Sequence, residues 1–221
     1  MKQIFIFILI SFFALSACNV DEILNDVENS NITAKSKRNE VVSAAKTDFA
    51  SDAQLSAIYG LNVSTKGEID LSKPTDNAFV YVVQSDIKQS NEFYVPVFGA
   101  GPVKSPINFI SMLSVVKDQT AKNILGNVFA GLSTVNIDPS VSYDDSPAII
   151  EKMLTRSDVS NFRNTNAGSK IDMFLIPGKS IDTLSVINSA DWLVNFYGDS
   201  TSLVLWLHPG TVNGTITKIS D

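Results

Sequence analysis

Residues 192–208 read WLVNFYGDSTSLVLWLH. Two runs rich in Leu, Val and aromatic residues, Trp192–Tyr197 and Ser202–His208, flank the turn pair Gly198-Asp199. That pattern predicts an antiparallel β-hairpin. Leu203-Val204-Leu205-Trp206-Leu207 is apolar at every position, and Trp192/Val194/Phe196 oppose Leu193/Tyr197 in a similar way. A sheet covered on one face only should alternate apolar with polar. So the second face is either packed on another part of the chain or left partly open as a groove or partner surface.

Working outward, Thr215–Ile219 (TITKI) lies one turn beyond, after Asn213-Gly214, and Lys170–Ile176 (KIDMFLI) reads as a strand before the hairpin. A helix should start at Ser146-Pro147, with serine as N-cap, proline in the first turn and Asp144 and Asp145 beside the positive end of the dipole. Ile149, Ile150, Met153 and Leu154 form its apolar stripe. Between residues 105 and 145, Ile107, Ile110 and Leu113 and then Ile124, Leu125, Val128, Phe129 and Leu132 fall at helical spacing, predicting a helical connector.

A similar order of elements precedes the connector. Ser51-Asp52-Ala53-Gln54 has capping-box spacing, Leu55, Ile58 and Tyr59 supply a face, and Gly60 is a natural stop, so a helix is expected there. Two strands are expected at Ala78–Val83 and Glu92–Phe98, the second an edge or bulged strand because Pro96 has no N–H. The pairing of Ser51 with Ser146 and of Ala78 with Trp192 suggests a blurred internal duplication. The expected class is α+β, mainly antiparallel, with one helix-plus-strands unit at 47–104 and another at 146–221.

The second half resembles a PepSY-type domain, a small module of helix and antiparallel sheet. The residues that carry the likeness are the helix from Pro147, Phe162–Gly168, Asp191–Tyr197, the hairpin through Leu203–Trp206 and the turn Pro209-Gly210. The chain departs from the pattern by ending in Asn213-Gly214 and a short strand. The resemblance implies an extracytoplasmic binding or protease-modulating module without catalytic residues, and no functional residue carries over.

The first residues are of another kind. Lys2 precedes the apolar run Ile4–Leu15, which is too short to span a bilayer as a helix, and Leu15-Ser16-Ala17-Cys18 closes it. LSAC resembles the lipobox of bacterial lipoproteins, in which the leader (here 1–17) is removed, the cysteine thiol takes a diacylglycerol and the new amine an acyl group such as palmitate. Asn19, where aspartate would signal retention, implies the outer membrane. The alternative is an ordinary secretory leader with a free thiol at Cys18. Residues 18–46, rich in Asn, Asp, Glu, Ser and Lys, read as a solvated tether with a reach on the order of 30 Å. The alternative there is a helix already begun at Val41–Ala45.

Composition narrows the function. Hydrophobic residues make up 44% and charged ones 18% of 221, enough for a core. The 17 Lys and Arg against 23 Asp and Glu give −6, or −7 once Lys2 leaves with the leader, and no basic block marks a nucleic-acid surface. One cysteine and one histidine exclude disulfide frameworks and sites that need two imidazoles. G-x-S-x-G and H-E-x-x-H are absent. His208 reads as structural, Asp138, Asp144 and Asp145 as turn and helix-start carboxylates, and Gly99-Ala100-Gly101 as a turn.

The expectation is therefore a non-enzymatic binding module of the envelope, without metal or cofactor, held to the membrane by lipid on Cys18 and meeting a peptide or protein partner. Trp192, Tyr197 and Trp206, with Tyr81 and Tyr94 in the first unit, are its candidate contact residues. The runner-up is a structural or assembly lipoprotein of the outer membrane; the third is a hydrolase with an unrecognised site.

Overall fold

The computed structural model describes residues 30–73, 77–105, 116–178 and 189–219. Cys18, the leader, and Ile107, Ile110 and Leu113 lie outside the described residues. In chain order the elements are β1 (Asn31–Ile32), α1 (Arg38–Asp48), β2 (Gln54–Leu61), β3 (Ile69–Asp70), β4 (Ala78–Ser85), β5 (Ser90–Val97) and β6 (Gly101–Lys104). Then come α2 (Gln119–Gly131), α3 (Ser146–Leu154), α4 (Ser157–Thr165), β7 (Lys170–Pro177), β8 (Ala190–Tyr197), β9 (Ser202–His208) and β10 (Thr215–Lys218). The protein is α+β: an eight-stranded sheet in the order β10-β9-β8-β7-β2-β4-β5-β6, antiparallel throughout, and a small β1–β3 pair.

The order shows two four-stranded meanders, β2-β4-β5-β6 and β7-β8-β9-β10, joined where β2 pairs with β7 through Tyr59 and Phe174. Each meander follows helix. Equivalent strands start at 54 and 170, 78 and 190, 90 and 202, and 101 and 215, so the spacing stays within 112–116 residues. The expected counterpart of Ser146 at Ser51 is corrected, however. Residues 54–61 are a central strand, and the helix of the first half is α1. Six consecutive residues of β2 are buried, since a central strand with both faces covered has no polar positions to reveal period two. Its apolar residues therefore satisfied a helical template equally well. Asp52 does not cap a helix; its carboxylate accepts from the Ser85 hydroxyl at 2.7 Å and from the Ile87 N–H at 2.9 Å.

The alternative helix at Val41–Ala45 is the one present, with both residues buried, so the stretch expected as tether over 18–46 is folded from Ser30 onward. The N-cap of α3 is Asp145 rather than Ser146; its carboxylate accepts from the Ser146 N–H. Pro96 sits opposite Pro102 across β5 and β6, and β6, not β5, is the sheet edge. The cross-strand pairing of β4 with β5 ends at Tyr81–Tyr94, so at Pro96 the strand has β6 alone as partner.

Two cores result. On the first face α1, α3 and α4 cover Leu55, Ile58, Phe79, Tyr81, Met173, Trp192, Phe196 and Leu205. On the second face α2, through Ala121, Leu125 and Val128, covers Ala57, Tyr59, Val80, Phe174, Leu193 and Val204. This second layer explains why the strands are apolar on both sides: most of that face is packed, as the 106–132 reading expects.

Candidate functional site

The five nominated aromatic residues fall into two groups. Tyr81, Tyr94 and Trp192 have no exposed surface. Each lies in the first core and uses its polar atom to fasten a neighbouring segment. The Tyr81 hydroxyl donates to the Ala34 carbonyl at 3.1 Å, Tyr94 to Asp48 Oδ1 at 2.5 Å, and Trp192 Nε1 to the Asp144 carbonyl at 2.9 Å. They have nothing to present to a partner, because inward positions of covered strands hold the largest side chains. Trp206 and Tyr197 are half-buried on the second face.

Trp206 belongs to a polar cluster. Asp191, fully buried, lies one residue beyond Trp192–Leu207, the last pair of the β8–β9 ladder, and reaches His208. Both its oxygens lie 2.8 Å from His208 Nδ1, and Trp206 Nε1 donates to Oδ2 at 3.1 Å. The indole and imidazole are 5.7 Å apart. Ser189, two residues before Asp191 and on the same side of the strand, has a buried hydroxyl without a hydrogen-bond partner. Gly178 closes over both: a Cβ there would come within 1.8 Å of Ser189 Oγ and 3.3 Å of Asp191 Oδ1. A carboxylate holding Nδ1 orients the ring and turns Nε2 outward, which is half of a nucleophile-activating arrangement. Among the described residues no hydroxyl or thiol bonds to Nε2, and no three metal-ligating acids, histidines or cysteines converge.

At the opposite end of the same face lies Asp172, fully buried on β7. Its carboxylate accepts from the Tyr59 hydroxyl at 2.7 Å, the Asn62 N–H at 2.8 Å and the Tyr197 hydroxyl at 3.3 Å. Burial raises its pKa from 3.8 to about 6, against the pull of those donors. Asn195 stands opposite it across β7 and β8, and neither polar atom of that buried amide has a partner. The carboxylates once grouped by sequence are used separately. Asp138 binds the Ser140 hydroxyl and N–H, Asp144 Oδ2 the Val212 N–H, and Asp145 the Thr33 hydroxyl.

Of the concavities among the described residues, the one with the most apolar lining lies elsewhere. Where β5 leaves β4 beyond Tyr94, the strands part, and a cleft of about 410 Å³ opens between them. Leu71, Ala78 and Val95–Phe98 line it with Ser72 and Asn77. Its wall is mostly apolar, and Asn77 contributes a buried Oδ1 without a partner. Three of the four large apolar residues left exposed among the described ones, Val97, Phe98 and Val103, stand on the β5–β6 hairpin beside it. Gly99 and Gly101, at φ of 69° and 70°, let that hairpin turn sharply. So Gly99-Ala100-Gly101 is the turn its composition suggests.

Sequence reasoning missed both polar clusters and the cleft. The Asp191–His208 pair had a signal: a turn closing Tyr197 onto Ser202 fixes the register that sets 191 against 208. The cleft had only Pro96 as a marker. Comparison with protein-family models, curated proteins and solved structures returns no match.

Proposed function

We propose that this chain is a non-enzymatic binding module of the bacterial envelope, anchored by lipid on Cys18, which receives a peptide or protein partner in the β4–β5 cleft. The observation that carries the reading is the cleft itself: an apolar recess with one unpaired acceptor, Asn77 Oδ1, beside the β5–β6 end of the sheet. Apolar walls with a single polar handle suit the insertion of a partner's apolar side chain with one N–H directed at the amide oxygen. The neighbouring strand β6 is four residues long and pairs, among the described strands, with β5 alone. LSAC at 15–18 supports the location.

The test uses the lipidated protein in its own membranes with a photo-crosslinking residue at position 97. The expected result is a discrete adduct that disappears when Ala78→Trp fills the cleft, while the circular dichroism spectrum is unchanged. Identical adducts with the cleft open and filled would overturn the reading.

A further inference from the structure

We infer that the β5–β6 hairpin, Val97–Val103, rests on the bilayer that holds the Cys18 lipid, so that the cleft opens at the membrane surface. This rests on the lipid-anchor reading above and adds a second point of membrane contact to it. Three observations carry it.

The first is where the described chain begins. The Leu71 N–H donates to the Ser30 carbonyl at 2.8 Å, and Leu71 is itself a wall of the cleft. The path back to Cys18 therefore leaves from the cleft's own rim. The second is length. Twelve peptide steps separate Cys18 from Ser30, and whatever shape they take they span at most roughly 40 Å. A folded body of this size has a radius of gyration of about 16 Å, hence is roughly 40 Å across. Such a body cannot turn the Ser30 side away from its anchor; the rim stays near the lipid.

The third is chemistry. Residues 97–103 read VFGAGPV, without an ionisable side chain, and Val97, Phe98 and Val103 are 41%, 37% and 40% exposed. Ile87, 74% exposed, lies in the β4–β5 turn at the opposite end of β5 and has no such company. An apolar loop held beside an acyl anchor enters the headgroup–acyl boundary through its buried apolar area. The charge of the mature chain, −7, supplies no attraction to anionic lipid, so the contact is apolar and insensitive to salt.

With Cys18 occupied by lipid, a thiol introduced by Phe98→Cys, Ala100→Cys or Ile87→Cys is unique in the chain and can carry an environment-sensitive fluorophore. The lipidated protein is reconstituted into phosphatidylethanolamine–phosphatidylglycerol vesicles containing lipids brominated on the acyl chain. Quenching at positions 98 and 100 should exceed that at 87 at least twofold and should persist in 0.5 M salt. Equal quenching at all three positions, with the lipid mass on Cys18 verified, overturns the membrane contact and leaves the anchor reading intact. A Cys18 thiol without lipid in the native protein overturns both. Agreement between 98 and the backbone-turn position 100 separates seating of the loop from a local effect of replacing Phe98.

Discussion

Asp191 and His208 face each other across β8 and β9, and the carboxylate spans the histidine Nδ1 and the Trp206 indole N–H together. Among the described residues it is the one acceptor for either group, and it stands at the start of a strand whose other polar residue is Asn195. Replacing Asp191 by alanine leaves the indole N–H without a partner in a half-buried position. Asp191→Ala is expected to lower unfolding free energy by about 1–3 kcal/mol, and Asp191→Asn, which keeps an acceptor oxygen, by less. Urea denaturation checks the order of the two variants, and a red shift of tryptophan emission in the alanine variant checks that Trp206 is the group released.

Asp172 makes stability depend on pH with an unusual sign. Its folded pKa, about 6, lies above its ordinary value of 3.8 because burial opposes the charge. Below both values the carboxyl is protonated in either state and contributes no pH dependence. Between them the unfolded chain releases its proton first, so the folded state binds more protons and stability falls as pH rises from about 4 to about 6. The full difference is on the order of 3 kcal/mol. Unfolding free energies measured in urea from pH 4 to 7 should decline across that window in the wild type, and Asp172→Asn should remove that part of the slope. An unchanged slope in the variant would show that another group titrates there.

The parts of the fold that were legible are those in which a local signal agrees with the tertiary environment. β8 and β9 are bounded by a turn that fixes their register, and β4 and β7 are apolar runs too short for helices. Of the repeat, the sequence showed one strand pair, Ala78 with Trp192; the helix match of Ser51 with Ser146 failed, and the near-constant spacing of all four strand pairs appears only in the structure. α1 carries few apolar residues, with only Val41 and Ala45 buried, so it reads as solvated chain. β2 failed for the reverse reason, being buried on both faces. Of the candidate contacts, the sequence names aromatic residues but not the face each takes. That parity is set by the pairing of β8 and β9 with their neighbours and by the layer that covers each face, and it sends Trp192 to the first core and Trp206 to the opposite side. The cleft depends on where β5 stops pairing with β4, which no local pattern encodes.

Besides the β1–β3 pair and the Tyr81 hydroxyl, the segment before α1 is clasped at the start of α3, and this too can be tested. Ser146 Oγ donates to the Gly67 carbonyl at 2.6 Å and accepts from the Ala34 N–H at 3.0 Å, while Asp145 accepts from the Thr33 hydroxyl and the Lys35 N–H. A β-carbon on Gly67, which also sits at φ +72°, would come within 2.5 Å of the Ser146 backbone. Asp145→Ala removes a helix cap and two clasps together. It should cost about 1–2 kcal/mol for the cap alone, and should raise hydrogen exchange at Lys35 N–H well before exchange rises in β7 or β8. Simultaneous loss of protection everywhere would show that the segment does not open on its own.

The second core sets how the two halves respond to damage. α2 lies over strands from both meanders, Val80 and Tyr59 on one side of the β2–β7 junction and Phe174, Leu193 and Val204 on the other. Its ends are tied to different halves. Ser202 Oγ accepts from the Asp118 N–H near β9, and the Ser56 hydroxyl of β2 reaches the Leu132 carbonyl at 3.0 Å. Leu125 is fully buried near the middle of that span. Leu125→Ala leaves a cavity shared by the two meanders and should cost about 2–5 kcal/mol. Because the cavity adjoins strands of both, the loss should appear as one cooperative transition at lower denaturant, followed identically by tryptophan emission from the second half and by a probe at Ile87 in the first. Two separate transitions in this variant, with the first half unaffected, would show that α2 stabilises only the meander that carries β9.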